Sequence, residues 1–170
     1  MKLTHTQIVA RGVLALAALC AAGAGAGPVE DTAQAETLIR GGDFVSAMNL
    51  LRKAAEQNHA PAQARLADLL VVAEFNSEAL ALYQKAAAQG EPAGELGLGR
   101  MYADALGVPR DQEKALELYR KAEARNYAPA VDALARAYRA GNLGLPKDLD
   151  KARELDARAR ALFEAGKASK

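Results

Sequence analysis

ALELYRKAEARNYAPA occupies residues 115–130, and close variants of it stand twice more in the chain: ALALYQKAAAQGEPAG at 79–94 and AMNLLRKAAEQNHAPA at 47–62. The copies begin at 47, 79 and 115, so the second interval is longer than the first. Set on their shared lysines (Lys53, Lys85, Lys121), the copies agree without a gap for about 25 residues, and a period of roughly 20–50 residues marks a stacked array of supersecondary units. Six positions before the lysine stands Ala47, Ala79 or Ala115; two before it stands Leu51, Tyr83 or Tyr119. Thirteen after it comes Leu66, Leu98 or Leu134, then a small residue, and seventeen after it Leu70, Tyr102 or Tyr138.

Each copy therefore carries two helical periods with a break between them. Asn58, Gly90 and Asn126 fall at the break, where a left-handed residue closes a helix. Pro61, Pro92 and Pro129 follow at the start of the second period, where a missing N–H is tolerated. The second helices run into LGVPRD (106–111) and LGLPKD (143–148), whose Gly107 and Gly144 suit positive φ and whose Asp111 and Asp148 are placed to cap the next helix. Eight helices are expected, at about 30–40, 43–57, 60–73, 77–89, 92–105, 111–125, 129–140 and 148–165.

Residues 1–26 read as an export signal: Lys2 and Arg11 are the only charges, Val13–Ala22 is uninterruptedly apolar, and AGAGAG offers small residues for cleavage. The apolar run is too short to span a bilayer, which takes about 20 residues. Two alternatives are an uncleaved anchor and lipid attachment at Cys20, the latter opposed by the bulky Leu19 before it. Without Lys2 and Arg11 the net charge moves from +1 to −1, which gives no electrostatic case for nucleic acid or a membrane surface. Beyond Cys20 there is no cysteine for a disulfide framework or thiolate metal site. His59, read as a solvent-facing turn residue, is the one histidine beyond the leader, so no metal-binding or nucleophilic set is assembled. GELGLG (94–99) lies inside a helix by repeat alignment and lacks a preceding strand, so close helix packing explains it better than phosphate binding.

The pattern A-x-x-x-Y-x-K-A, a Gly or Asn turn, L-G-x-M-Y and then G-V-x-x-D resembles the Sel-one-like repeat, a relative of the tetratricopeptide repeat. EALALYQKAAAQG, LGLGRMYADALGVPRD and EKALELYRKA carry the resemblance most fully, across roughly 43–159. It implies an all-α, right-handed α-solenoid of stacked helical hairpins, organised as a signal peptide (1–26), a half-repeat helix (27–42), repeats at 43–75, 76–110 and 111–147, and a capping helix with tail (148–170). The first unit lacks the G-V-x-x-D loop and runs LLVVAEFNSEAL directly into the second, so the array is expected to curve unevenly. In the last unit Asp156 replaces the tyrosine, as suits a terminal cap.

The resemblance further implies an exported, non-catalytic scaffold that binds a protein or peptide of the bacterial cell envelope, without cofactor or metal and without stable membrane insertion. The alternative is a cell-wall enzyme or small-ligand protein. Cysteine-rich exported members of the family are linked to β-lactam binding and hydrolysis, but they carry a disulfide in each repeat, so that activity is not carried over. The second helices line the concave face in tetratricopeptide arrays, which makes Asp68, Arg100, Asp104, Asp132, Arg136 and Arg139 the candidate partner-binding residues. Guanidinium groups form paired hydrogen bonds with carboxylates, so Arg100, Arg136 and Arg139 suit an acidic or C-terminal partner segment. The bland counterpart is solvated charges paired with Asp104 and Asp132.

Overall fold

A computed structural model describes residues 27–168; the expected leader with Cys20 lies outside the described residues. Eight helices follow in chain order: α1 (Pro28–Gly41), α2 (Phe44–Glu56), α3 (Ala60–Val72), α4 (Asn76–Ala88), α5 (Pro92–Asp104), α6 (Gln112–Ala124), α7 (Ala128–Ala140) and α8 (Leu149–Ala168). Each lies within a few residues of its expected range. Among the described residues there is no strand, and no helix is long and apolar enough to cross a membrane.

The three repeats turn in the same way. Asn58, Gly90 and Asn126 sit at φ 61°, 75° and 57°. One residue later the chain N–H bonds back into the first helix: His59 to the Ala54 carbonyl (3.2 Å), Glu91 to Ala86 (3.0 Å), Tyr127 to Ala122 (3.2 Å). These bonds satisfy carbonyls that a helix end leaves open. The prolines then occupy the first two positions of α3, α5 and α7. First helices are capped by aspartate, with the Ser46, Lys114 and Lys151 N–H groups donating to Asp43, Asp111 and Asp148 at 3.0, 2.9 and 2.8 Å. Only α4 differs, starting after Phe75 with no side-chain cap.

Ala47, Ala79 and Ala115 are fully buried, as are Ala54, Ala86 and Ala122. Two alanines on one face of each first helix let its neighbours approach until leucine and tyrosine fill the space between. In α5 even a methyl group is too much: a Cβ on Gly97 would stand 2.1 Å from the Tyr83 ring, and one on Gly99 2.7 Å from the Tyr119 ring. GELGLG is therefore a two-sided packing strip, with Gly94 and Gly97 against α4 and Gly99 against α6.

α3 packs directly on α5, and α1 touches α3, while the first helices lean on one another chiefly through the second helices between them. The second helices thus line the inner side of the array. Stacking is uneven, as expected from the two link lengths, because α5 is held to α7 chiefly through α6. The core divides at the same place. One apolar cluster runs from Ala35 to Met101 and Leu118, the other from Leu96 and Ala115 to Leu155 and Ala159, and Tyr102 touches both.

Candidate functional site

Four of the six candidate residues come together on the inner face. Asp68, Arg100 and Arg136 occupy the same register of α3, α5 and α7, two residues beyond the buried Leu66, Leu98 and Leu134. Asp68, Arg100 and Asp104 line a pocket of about 310 Å³ whose apolar wall includes Val72 and Met101. Arg100, Asp104 and Arg136 line the next, of about 220 Å³, with Tyr119 and Asn142. Arg100 is common to both, is exposed, and has no ion pair among the described residues. At the amino-terminal end a third pocket, of about 300 Å³, gathers Glu36, Asp68 and Glu91 around Arg65. The groove therefore passes from carboxylates at its first units to guanidinium groups at its last.

The other two candidates stand aside. Asp132 holds Arg136 from one helical turn away, at 2.9 Å. Arg139 is paired with Asp156 of α8, so it fastens the capping helix and lines neither inner pocket. Asp156, read as the mark of a terminal unit, is its counterpart.

Asp68 has an internal task as well. The Tyr83 hydroxyl donates to its Oδ1 at 2.6 Å, joining α4 to α3, and Arg65 links it to Glu36 through contacts of 3.5 and 2.7 Å. Burial pushes the Tyr83 phenol well above its ordinary pKa, and the Asp68 carboxylate pushes it further, because a phenolate there would be both dry and repelled. Tyr119 is raised as well, again first by burial, but it faces the charges of Arg100 and Arg136, which oppose the shift.

His59 is half-buried at the start of α3, which corrects its reading as a solvent-facing turn residue. Its Nδ1 lies 3.1 Å from Thr32 Oγ1, whose own proton goes to the Pro28 carbonyl at 2.6 Å. With that proton committed, Nδ1–H is the donor, and the imidazole ties the half-repeat to the first repeat. Among the described residues no cluster of His, Cys, Asp and Glu is placed to hold a metal ion.

One set of residues escaped the sequence reading. Asp31, Gln63, Glu95 and Val131 share a repeat position, and all four are buried. Aligning the half-repeat helix on the same register, one repeat back from Gln63, is the signal that would have found them.

The Sel1 repeat family model matches residues 39–59, 76–91, 92–127 and 128–164. The stretch between the first two matches is α3 with the short link after it. Among solved structures, one described as a sel1 repeat protein, from Klebsiella pneumoniae subsp. pneumoniae, superposes with a TM-score of 0.71 at 27% identity, over 79% of this chain and 68% of that one. A Sel1 repeat protein from Oxalobacter formigenes gives 0.64 at 23% identity, over 80% of this chain and 58% of that one, and bears on the fold alone. A protective antigen present in uropathogenic Escherichia coli strains, displaying an SLR fold, gives 0.60 at 25% identity over 86% of this chain. The chain spans 58% of the length of the Oxalobacter protein and 32% of the antigen.

Proposed function

Because the chain belongs to the Sel1 repeat family, whose repeats generally mediate protein–protein contacts, we propose that it is a non-catalytic scaffold of the bacterial cell envelope, exported and holding a partner protein segment along its inner groove. The observation that carries this is Arg100. It stands exposed between two pockets, in register with Arg136, and although Asp68 and Asp104 share those pockets, neither is ion-paired with it. A partner carboxylate laid across α5 and α7 would meet both guanidinium groups, while an apolar side chain next to it would enter the pocket walled by Val72 and Met101. Basic residues on the partner would face Glu36 and Glu91 at the other end, which fixes its direction.

Export is supported by the short apolar run and small-residue site in 1–26. Intact mass of the processed protein tests it, since a chain beginning near Gly25 or Gly27 carries no lipid at Cys20. For the groove, Arg100→Glu combined with Arg136→Glu is expected to abolish cross-linked capture of the envelope partner while leaving the helical circular dichroism unchanged. Capture that persists in the double variant would sink the assignment of the groove.

A further inference from the structure

The buried repeat position shared by Asp31, Gln63, Glu95 and Val131 is closed by hydrogen bonds at Gln63 and by apolar packing at Val131. Asp31 and Glu95 each place there a carboxylate oxygen held only by one cation. Asp31 meets the Lys53 ammonium at 2.8 Å. Gln63 accepts from Gln89 Nε2 at 2.8 Å and donates to the Ala55 carbonyl and to Asn58 Oδ1, at 3.2 and 3.1 Å. Val131 lies in an apolar cluster against which Leu162 packs.

Of the two carboxylates Glu95 is the more loosely held, at 3.4 Å from its cation against 2.8 Å for Asp31. It is 4% exposed, yet its Oε2 has no hydrogen-bond donor, and the Arg125 Nε that neutralises it stands 3.4 Å away. Asn58, which shares the polar contact one unit earlier, is replaced here by Gly90. The Arg125 guanidinium lies against that glycine, 2.7 Å from where a Cβ would be. Between α4 and α6, on the outer side of the array, the consequence is a cleft of about 740 Å³. Its apolar surface comes from Ala87, Leu98 and Leu118; Glu95, Lys121 and Arg125 supply the charges.

We propose that this cleft binds a small zwitterionic amino-carboxylate with an apolar side chain, a free amino acid or a dipeptide. The ligand ammonium donates to Glu95, its carboxylate takes Arg125, and its side chain lies against Leu98 and Leu118. A simple cation would satisfy Glu95 but leave Arg125 beside Lys121 without its counter-charge. A simple anion would draw Arg125 away and leave the buried carboxylate with nothing. Only a ligand bearing both charges completes both protein groups, and a buried carboxylate left without donors is destabilising. Arg125 is half-exposed and rests on a glycine, so its side chain can swing aside to admit the ammonium.

Isothermal titration of the purified protein with L-leucine and L-alanyl-L-leucine tests the site. Its controls are 3-methylbutylamine, which lacks the carboxylate, and 4-methylpentanoate, which lacks the ammonium. At least one zwitterion is expected to bind saturably below about 10 mM, with both half-ligands about tenfold weaker or more. Glu95→Gln keeps the shape and removes the charge, and is expected to weaken binding about tenfold; Arg125→Gln, at an exposed position, is expected to act alike. Arg136→Glu, in the groove on the other face, is expected to leave it unchanged. No saturable binding by either zwitterion, half-ligands as good as the whole, or indifference to Glu95→Gln would each overturn the proposal, whatever becomes of the groove.

Discussion

The joint between repeats 1 and 2 and the joint between repeats 2 and 3 are written from the same phrase, yet they close differently. In the first, the link is the short turn Ala73–Phe75, α3 packs on α5, Tyr83 reaches Asp68, and Gln89 reaches Gln63. In the second, the link runs from Ala105 to Asp111, α5 meets α7 mainly through α6, Tyr119 faces arginines, and Arg125 stands off from Glu95. The links differ in the opposite sense. The short one, at the tighter joint, leaves Phe75 exposed at 60%, next to the 84% exposed Val72 that ends α3, while the long one folds Leu106 and Val108 onto the core. Alanine and leucine positions fix the stacking; polar positions and link length decide how tightly neighbours clasp.

The contrast can be broken most forcefully at Gly97. Gly97→Ala drives a methyl into the Tyr83 ring. It is expected to cost about 2–3 kcal/mol in urea unfolding. Gly99→Ala, against the Tyr119 ring, should cost less, because its contact starts looser, at 2.7 against 2.1 Å. Equal costs would mean that the contact inside repeat 2, on the tyrosine that reaches Asp68, is no tighter than the joint between repeats 2 and 3.

Links come next. Leu145 is buried in the long link after α7, whereas Phe75 in the short link is exposed. Leu145→Ala should therefore cost about 2 kcal/mol. Phe75→Ala should stay within about 0.5 kcal/mol of the parent. Thermal melts of the two variants decide it.

At the tyrosines, Tyr83→Phe removes a hydrogen bond to the Asp68 carboxylate, while Tyr119 makes no hydroxyl bond among the described residues. The first change should cost about 1–2 kcal/mol. Tyr119→Phe should be close to neutral. The pH dependence follows from the raised phenol of Tyr83. Below its ordinary range, near 10, folded and unfolded chains are both protonated; above it the unfolded chain ionises while the folded one resists. Stability should therefore fall as pH rises past that value, and Tyr83→Phe should lessen the fall, as read by unfolding free energies on either side of it. Among the changes expected to move stability, the smallest effect belongs to Glu74, which closes α3 at φ 64° without being glycine. Glu74→Gly should stabilise by about 0.5–1 kcal/mol, visible as a shift in the urea midpoint.

Helices and turns were legible in the sequence because each rests on local chemistry repeated three times: an alanine face, an αL residue, a proline, an aspartate cap. The inner-face register of Asp68, Arg100 and Arg136 was legible for the same reason, since alignment alone stacks them. What they touch was not. Arg139 lies one turn beyond Arg136, yet its partner comes from α8, and nothing local to α7 specifies how far the last helix reaches. Tyr83 and Tyr119 read as equivalent packing residues and differ only through the charge one unit earlier. The position of Glu95 was hidden because Asp, Gln, Glu and Val differ in length and charge and polar residues there read as solvated; only burial unites all four.

Nearly every contact in this array joins helices that are neighbours along the chain. Such a chain closes only short loops as it folds, so its order of assembly can follow its order of synthesis or emergence, with each hairpin docking on the one before. The packing of α3 on α5 ties the amino-terminal half together, and growth from that end has to cross the looser contact between α5 and α7 to finish. That contact is where a partly built molecule would pause, with the first cluster sealed and the second still waiting for α7 and α8.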